Sequence, residues 1–229
     1  LRARCHRFVG DLAPAIREMN AAIALAPDNA ETMAYMGRVL KENGDRAAAI
    51  GFYERAIDHQ PRNAPWLLSL AYLLGDRSHP ETFDMARVRS LSARAMEADS
   101  MFPGSWALHG QILANDGDHP AARAALERAI DLDSTYYGAK YDLASLLLFN
   151  TSPADYPKAE KLLRSTIRMD SSNTQAVLLL GKVLTNGPHK DTVLADRLFR
   201  KANAADPNLE LQVLTSRARA AYAAHQDQK

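Results

Sequence analysis

AETMAYMGRVLKENGDRAAAIGFYERAIDHQPRN, Ala30 to Asn63, is the stretch that decides the fold. Met33, Met36, Gly37 and Leu40 stand at i, i+3, i+4 and i+7, one face of a helix. Asn43-Gly44-Asp45 interrupts that face, with Gly44 as the C-terminal stop. Ala49, Tyr53 and Ala56 mark the face of a second helix. Asp58-His59-Gln60-Pro61 ends it, because proline disfavours helix in the residue before it. Small Gly37, Ala49 and Ala56 let two antiparallel helices approach closely, and large Tyr53 and Leu40 fill the space beside them.

The arrangement returns along the chain. Gly37, Ala49, Tyr53, Ala56 and Pro61 are separated by 12, 4, 3 and 5 residues, and Gly110, Ala122, Leu126, Ala129 and Ser134 keep those gaps. A period of about 34 residues, with small residues held where helices must touch, predicts a helical solenoid. The terminal markers Pro27, Pro61, Ser100, Ser134, Ser171 and Pro207 follow one another at 34, 39, 34, 37 and 36 residues. These markers divide the chain into a partial unit over 1–29 and full units over 30–63, 64–102, 103–136, 137–173 and 174–207. The partial unit carries Ala15, Met19 and Ala22. The later units carry Ala71, Ser92 and Ala95, then Ala144, Ala159, Leu163 and Thr166, then Gly181, Ala195, Phe199 and Ala202. Residues 208–229 read as a helix that caps the last unit, with Leu209, Leu211, Val213, Leu214 and Ala218 as its apolar stripe. The same stripe also fits the first helix of a further repeat.

This pattern resembles the tetratricopeptide repeat family, whose signature has a small residue in the first helix, Ala-x3-aromatic-x2-Ala in the second and Pro at the end. Ser92 departs from the aromatic, Thr166 from the second Ala, and Ser from the terminal Pro in three units. The resemblance implies an all-α, right-handed superhelical solenoid of antiparallel helix pairs, forming one domain over 1–229. The residues beyond the 34-residue period fall between the helices of a unit, at 75–82, 150–157 and 186–191. In a solenoid such loops share one edge. They are either tolerated insertions or a second contact surface.

Bulk composition narrows the function classes. The chain has 229 residues, 47% of them hydrophobic and 24% charged, with a net charge of +1. That balance lacks the basic surplus of a nucleic-acid binder. Apolar runs such as Leu143 to Phe149 are far shorter than the ~20 residues a membrane helix needs. A lone Cys5 cannot form an internal disulfide. The chain starts without Met and inside a repeat, so a fragment, a processed form or the ordered part of something longer is expected. No targeting signal is visible. The compartment stays open, with the cytoplasm favoured over others.

The sequence carries no GxGxxG, GxxxxGK[ST], HExxH or GxSxG, so neither an enzyme nor a cofactor is expected. His109 beside Gly110 reads as a core histidine, since no Cys, Glu or second His stands at i+3 or i+4 to make a metal pair. Cys5-His6 point different ways on a helix. His79, His119 and His189 each adjoin Pro and read as turn residues. Asn150-Thr151-Ser152 matches a glycosylation sequon, a pattern short enough to recur by chance.

By resemblance, the function is protein–protein interaction through an inner groove lined by each unit's first helix. The expected lining is Arg38 in the first full unit, Leu68 and Tyr72 in the second, and Gln111 in the third. Tyr141 and Leu148 follow in the fourth, and Leu178 and Lys182 in the fifth. The apolar middle suits a partner's amphipathic helix or extended hydrophobic segment, with Tyr72 and Tyr141 as rigid anchors. The competing readings are a groove filled by other segments of the same protein, and residues that pack between neighbouring units. The Lys, Asn and Arg clamp by which family members hold a chaperone's acidic C-terminus is not reproduced. The expected role is a scaffold or adaptor in a multiprotein assembly. The alternatives are a co-chaperone adaptor, a regulatory arm of a larger and possibly catalytic protein, and self-assembly.

Overall fold

Residues 12–149, 155–188, 190–209 and 214–218 are described by the computed structural model. The Cys5-His6 pair, the Asn150-Thr151-Ser152 sequon, His189, Leu211 and Val213 lie outside them. Every regular element among the described residues is helical. The main helices are α1 (Leu12–Leu25), α2 (Ala30–Glu42), α3 (Arg46–His59), α4 (Ala64–Leu74), α5 (Met85–Ala98) and α6 (Pro103–Asn115). They continue as α7 (His119–Leu132), α8 (Tyr137–Phe149), α9 (Tyr156–Met169), α10 (Thr174–Asn186) and α11 (Thr192–Ala205). The chain divides between His109 and Gly110, within α6, into two compact units. In the first unit each of α1 to α4 packs on the next helix, and in the second unit each of α7 to α10 does. Neighbour-on-neighbour packing of helix pairs is the solenoid arrangement.

Local chemistry sets the helix ends. Asn29, Asn63 and Asn173 accept the amides of Thr32, Trp66 and Ala176 at 2.8, 3.2 and 2.9 Å, starting α2, α4 and α10. Each supplies an acceptor to an otherwise orphaned N–H of the first turn. Gly44 and Gly117 have φ of 83° and 84°, the left-handed region that glycine enters without strain. At Gly44 the turn closes with two bonds, Gly44 N–H to Lys41 O at 3.1 Å and Asp45 N–H to Leu40 O at 2.9 Å. That pair is a Schellman ending. Asp45 then accepts the Ala48 amide at 3.1 Å and starts α3.

Two of the stretched units, 64–102 and 174–207, keep the anchor of the unstretched ones. The capping aspartate's N–H bonds a leucine carbonyl among the last three residues of the first helix: Asp45 to Leu40, Asp84 to Leu74, Asp118 to Leu113 and Asp191 to Leu184, at 2.9 to 3.0 Å. In these two units the inserted residues lie between the leucine and the aspartate that the bond joins. Where the insertion is longest, Asp76 gathers the loop. It accepts the Ser78 amide at 3.0 Å and the Ser78 hydroxyl at 2.6 Å, and it contacts His79 Nδ1 at 3.0 Å. Those bonds, the Ser78 hydroxyl first, hold its carboxyl down at about 2. Arg46 of α3 ties the loop down, reaching Asp76 at 3.2 Å, Thr82 Oγ1 at 2.9 Å and the Leu73 carbonyl.

The core follows the small–large alternation. Ala49, Ala56, Ala95, Ala122, Ala129, Ala159, Ala195 and Ala202 are buried, as are Tyr53, Leu126, Leu163 and Phe199. Glycines 37, 110 and 181 sit where a Cβ would meet Tyr53, Leu126 and Phe199 at 3.0, 2.7 and 2.5 Å. The units without this glycine have Ala71 with Ser92, and Ala144 with Leu163, at the equivalent positions, all buried. Ser92 is 2% exposed and its hydroxyl finds no partner. At the C-terminal end Leu209 is buried, whereas Leu214 is 51% exposed and Ala218 is exposed. Arg217 bonds Asp196 of α11 at 2.6 Å, which lowers that carboxyl's pKa.

Candidate protein-interaction site

Within each unit the first helices leave one row of side chains open. In the first unit this row holds Arg38 and Tyr72. Arg38 is exposed and its guanidinium lies 4.7 Å from the centre of the Tyr35 ring. Tyr72 is 40% exposed. Leu68, one turn before Tyr72, was expected in the lining and is 4% exposed. The reason is that α4 packs on both α3 and α5. Leu67, Leu68, Leu70, Leu73 and Leu74 are therefore all buried, so burial extends beyond a single stripe.

In the second unit the row contains Gln111, Tyr141, Ser145, Leu148 and Lys182. Ser145 is exposed and the other four are half-buried. Burial, and then the Asp142 charge, raise the pKa of the Tyr141 hydroxyl. Leu178 is corrected in the same way as Leu68. It is 2% exposed, because α10 packs on α8, α9 and α11. Thr185, about two turns further, is also buried and donates its hydroxyl to the Gly181 carbonyl at 2.9 Å.

A cavity of about 400 Å³ opens beside this row. Gln111, Ala114 and Asn115 of α6 line it, with His119 and Leu126 of α7 and Asp142, Ser145, Leu146 and Phe149 of α8. Gln111 Nε2 donates to Asp142 Oδ2 at 2.7 Å. Burial pushes the Asp142 carboxyl up to about 6 against that bond. Phe149 is 73% exposed, and its ring centre lies 5.3 Å from that of His119. His119, expected in a turn, is the first residue of α7, and its Nδ1 is buried without a partner. Among the described residues no group of three His, Cys, Asp or Glu could hold a metal ion. No described helix is long and apolar enough to cross a membrane.

Profiles of the tetratricopeptide repeat match residues 103–136 and 1–65. The chain carries tetratricopeptide repeats over these two stretches. Solved structures agree on the fold. The "APC/C hetero-tetramer Cut9-Hcn1" has a chain 15% identical, with a TM-score of 0.79, covering 94% of this chain and 41% of that one. Yeast Tom70 is 18% identical, with a TM-score of 0.65 and coverage of 94% and 44%. PilW, a "widely conserved type IV pilus biogenesis factor", is 16% identical, with a TM-score of 0.68 and coverage of 90% of both chains. The chain therefore spans about two fifths of the length of the first two. No curated protein matches it in sequence.

Tetratricopeptide repeats are in general non-catalytic protein-interaction modules. In repeat terms the open row is the ninth residue of each first helix: Arg38, Tyr72, Gln111, Ser145 and Lys182. The fifth residue is buried in four units out of five, as Ala34, Leu68, Ala107 and Leu178, with Tyr141 the half-buried exception. Sequence reasoning missed Asp142, the sixth residue of its helix. Its only signal was an acid one residue off the expected row, and nothing in the sequence places Gln111 beside it.

Proposed function

We propose that this chain is a scaffold or adaptor, and that it binds segments of partner proteins along the open rows of its first helices. It serves as a subunit of a multiprotein assembly, presenting a rigid surface on which partner segments become ordered, with no catalytic turnover. The observation that carries this reading is the combination, in the second unit, of a ligand-sized cavity with an exposed aromatic at its mouth. Clefts of ~300 Å³ or more with a few convergent polar groups are the usual form of a binding site. Exposed aromatics at such a mouth act as low-entropy anchors. Tyr72 offers a similar anchor in the first unit.

The test compares faces. Partners co-purifying with the tagged chain are identified by mass spectrometry for the unchanged protein and for Tyr72→Ala combined with Phe149→Ala. Both residues are exposed, so the fold survives. Arg94→Ala combined with Lys161→Ala, exposed positions on second helices, is the control. Loss of the same partners in the first pair alone supports the reading. Equal recovery by both pairs rejects it.

A further inference from the structure

Asp142 is a carboxylate without a counter-ion. Its one hydrogen bond comes from a neutral amide, Gln111 Nε2 at 2.7 Å, and no cation pairs with it among the described residues. Elsewhere in the chain partly withdrawn acids are paired. Glu127 meets Lys158 and Arg123 at 2.5 and 3.1 Å, and Asp196 meets Arg217 and Arg200 at 2.6 and 2.8 Å. An anion drawn out of water and left unpaired is costly, and a matched cation recovers much of that cost.

The other groups around the cavity point to the same ligand chemistry. His119 Nδ1 is buried and unbonded. In the neutral ring with its proton on Nε2, that nitrogen is an acceptor. Ser145 is exposed on the lining, one helical turn from Asp142, and its hydroxyl accepts as well as donates. Phe149 presents a ring that is 73% exposed at the mouth. The acceptors open to a cationic donor are the Asp142 carboxylate, the Ser145 hydroxyl and His119 Nδ1 in that tautomer, beside an aromatic face, while the Asn115 amide adds both donors and an acceptor. An anionic ligand would be repelled, and a metal ion would lack a third ligand among the described residues. A guanidinium brings five donors in a planar fork, stacks on aromatic rings and sheds water more easily than an ammonium does.

We propose that the cavity between α6 and α8 receives an arginine side chain from the partner segment, with Asp142 as its counter-ion, Phe149 stacking on the guanidinium and apolar neighbours of the arginine lying along the open row. This rests on the partner-binding reading above and names the side chain that the site selects.

The experiment uses the peptides acetyl-Leu-X-Leu-amide with X as arginine, citrulline or glutamate. Binding is followed by NMR through the side-chain amides of Gln111 and Asn115. Citrulline keeps the shape of arginine and removes its charge. The arginine peptide is expected to bind at least ~10-fold tighter than the citrulline peptide, the scale of one net charge-assisted hydrogen bond. The glutamate peptide is expected to be weakest. Asp142→Asn should shrink the arginine preference below about 3-fold, with the fold monitored by circular dichroism. Ser145→Arg, at an exposed position, supplies an intramolecular guanidinium and should remove the preference without altering Asp142. If arginine and citrulline peptides bind equally, the inference is overturned while the open row remains a binding surface. If no peptide perturbs either amide, the inference and the partner-binding reading fall together in this unit. If the preference persists in both variants, Asp142 is not the counter-ion.

Discussion

Adding one methyl group at Gly181 should weaken the fold, whereas the same change at Gly51 should strengthen it. A Cβ at Gly181 would lie 2.5 Å from Phe199 Cε1, 2.9 Å from Cδ1 and 3.0 Å from Cζ. Carbon atoms attract best at about 3.5–4.0 Å, so the ring must retreat by roughly 1 Å. Phe199 is fully buried and cannot retreat without separating α10 from α11. Overpacking of this kind costs ~1–3 kcal/mol, against a helix-propensity gain of up to ~1 kcal/mol for replacing glycine with alanine. With the full propensity gain the net loss is up to about 2 kcal/mol, or up to roughly 8 °C in unfolding temperature for a chain of this size. Gly51 lies inside α3 with nothing within 4 Å of its notional Cβ, so only the propensity gain remains there. Gly51→Ala should raise the unfolding temperature by about 1–4 °C. Gly110→Ala, with Leu126 at 2.7 Å, and Gly37→Ala, with Tyr53 at 3.0 Å, should fall between the two in that order. Urea titration followed by circular dichroism, with amide exchange to localise the effect, measures the series. Adding Phe199→Leu to Gly181→Ala should recover part of the loss, since Ala144 with Leu163 is the pairing the fourth repeat already uses. If Gly181→Ala stabilises as Gly51→Ala does, close approach of the paired helices is not what the glycine supplies.

Two further outcomes follow from the electrostatics. Burial raises the Asp142 carboxyl from 3.8 to about 6, so the folded state disfavours its ionised form. Its contribution is therefore most favourable below about pH 4 and is lost as the pH rises through about 6. Asp142→Asn should stabilise the protein at pH 7 by at most ~3 kcal/mol and leave it unchanged near pH 4. Unfolding free energies of both proteins between pH 4 and 8 check this, and a gap that does not close on acidification contradicts it. Arg46→Ala should free the loop between α4 and α5. Faster amide exchange at Ser78 and Thr82, with exchange in α10 unaltered, is the expected result, and unchanged exchange at both would show that the guanidinium does not hold the loop.

The repeat spacing of small and large residues determined, by itself, the helix pairs and their contacts. A solenoid makes each unit meet the same local constraints, so Gly37 with Tyr53 and Gly181 with Phe199 can be read as equivalent without knowing what surrounds them. The capping residues are equally local: Asn29, Asp45, Asn63 and Asp118 act on amides three residues away. The tertiary structure alone decided which face of each first helix stays open. Leu68 and Leu178 have the spacing of lining residues, but their helices pack on neighbours along more than one flank, and no pattern inside a single repeat records that second contact. The same holds for the cavity. Gln111 and Asp142 are 31 residues apart in sequence, on successive repeats, and 2.7 Å apart in space. Their meeting depends on how one first helix lies beside the next, an arrangement set by packed volume and invisible to periodicity.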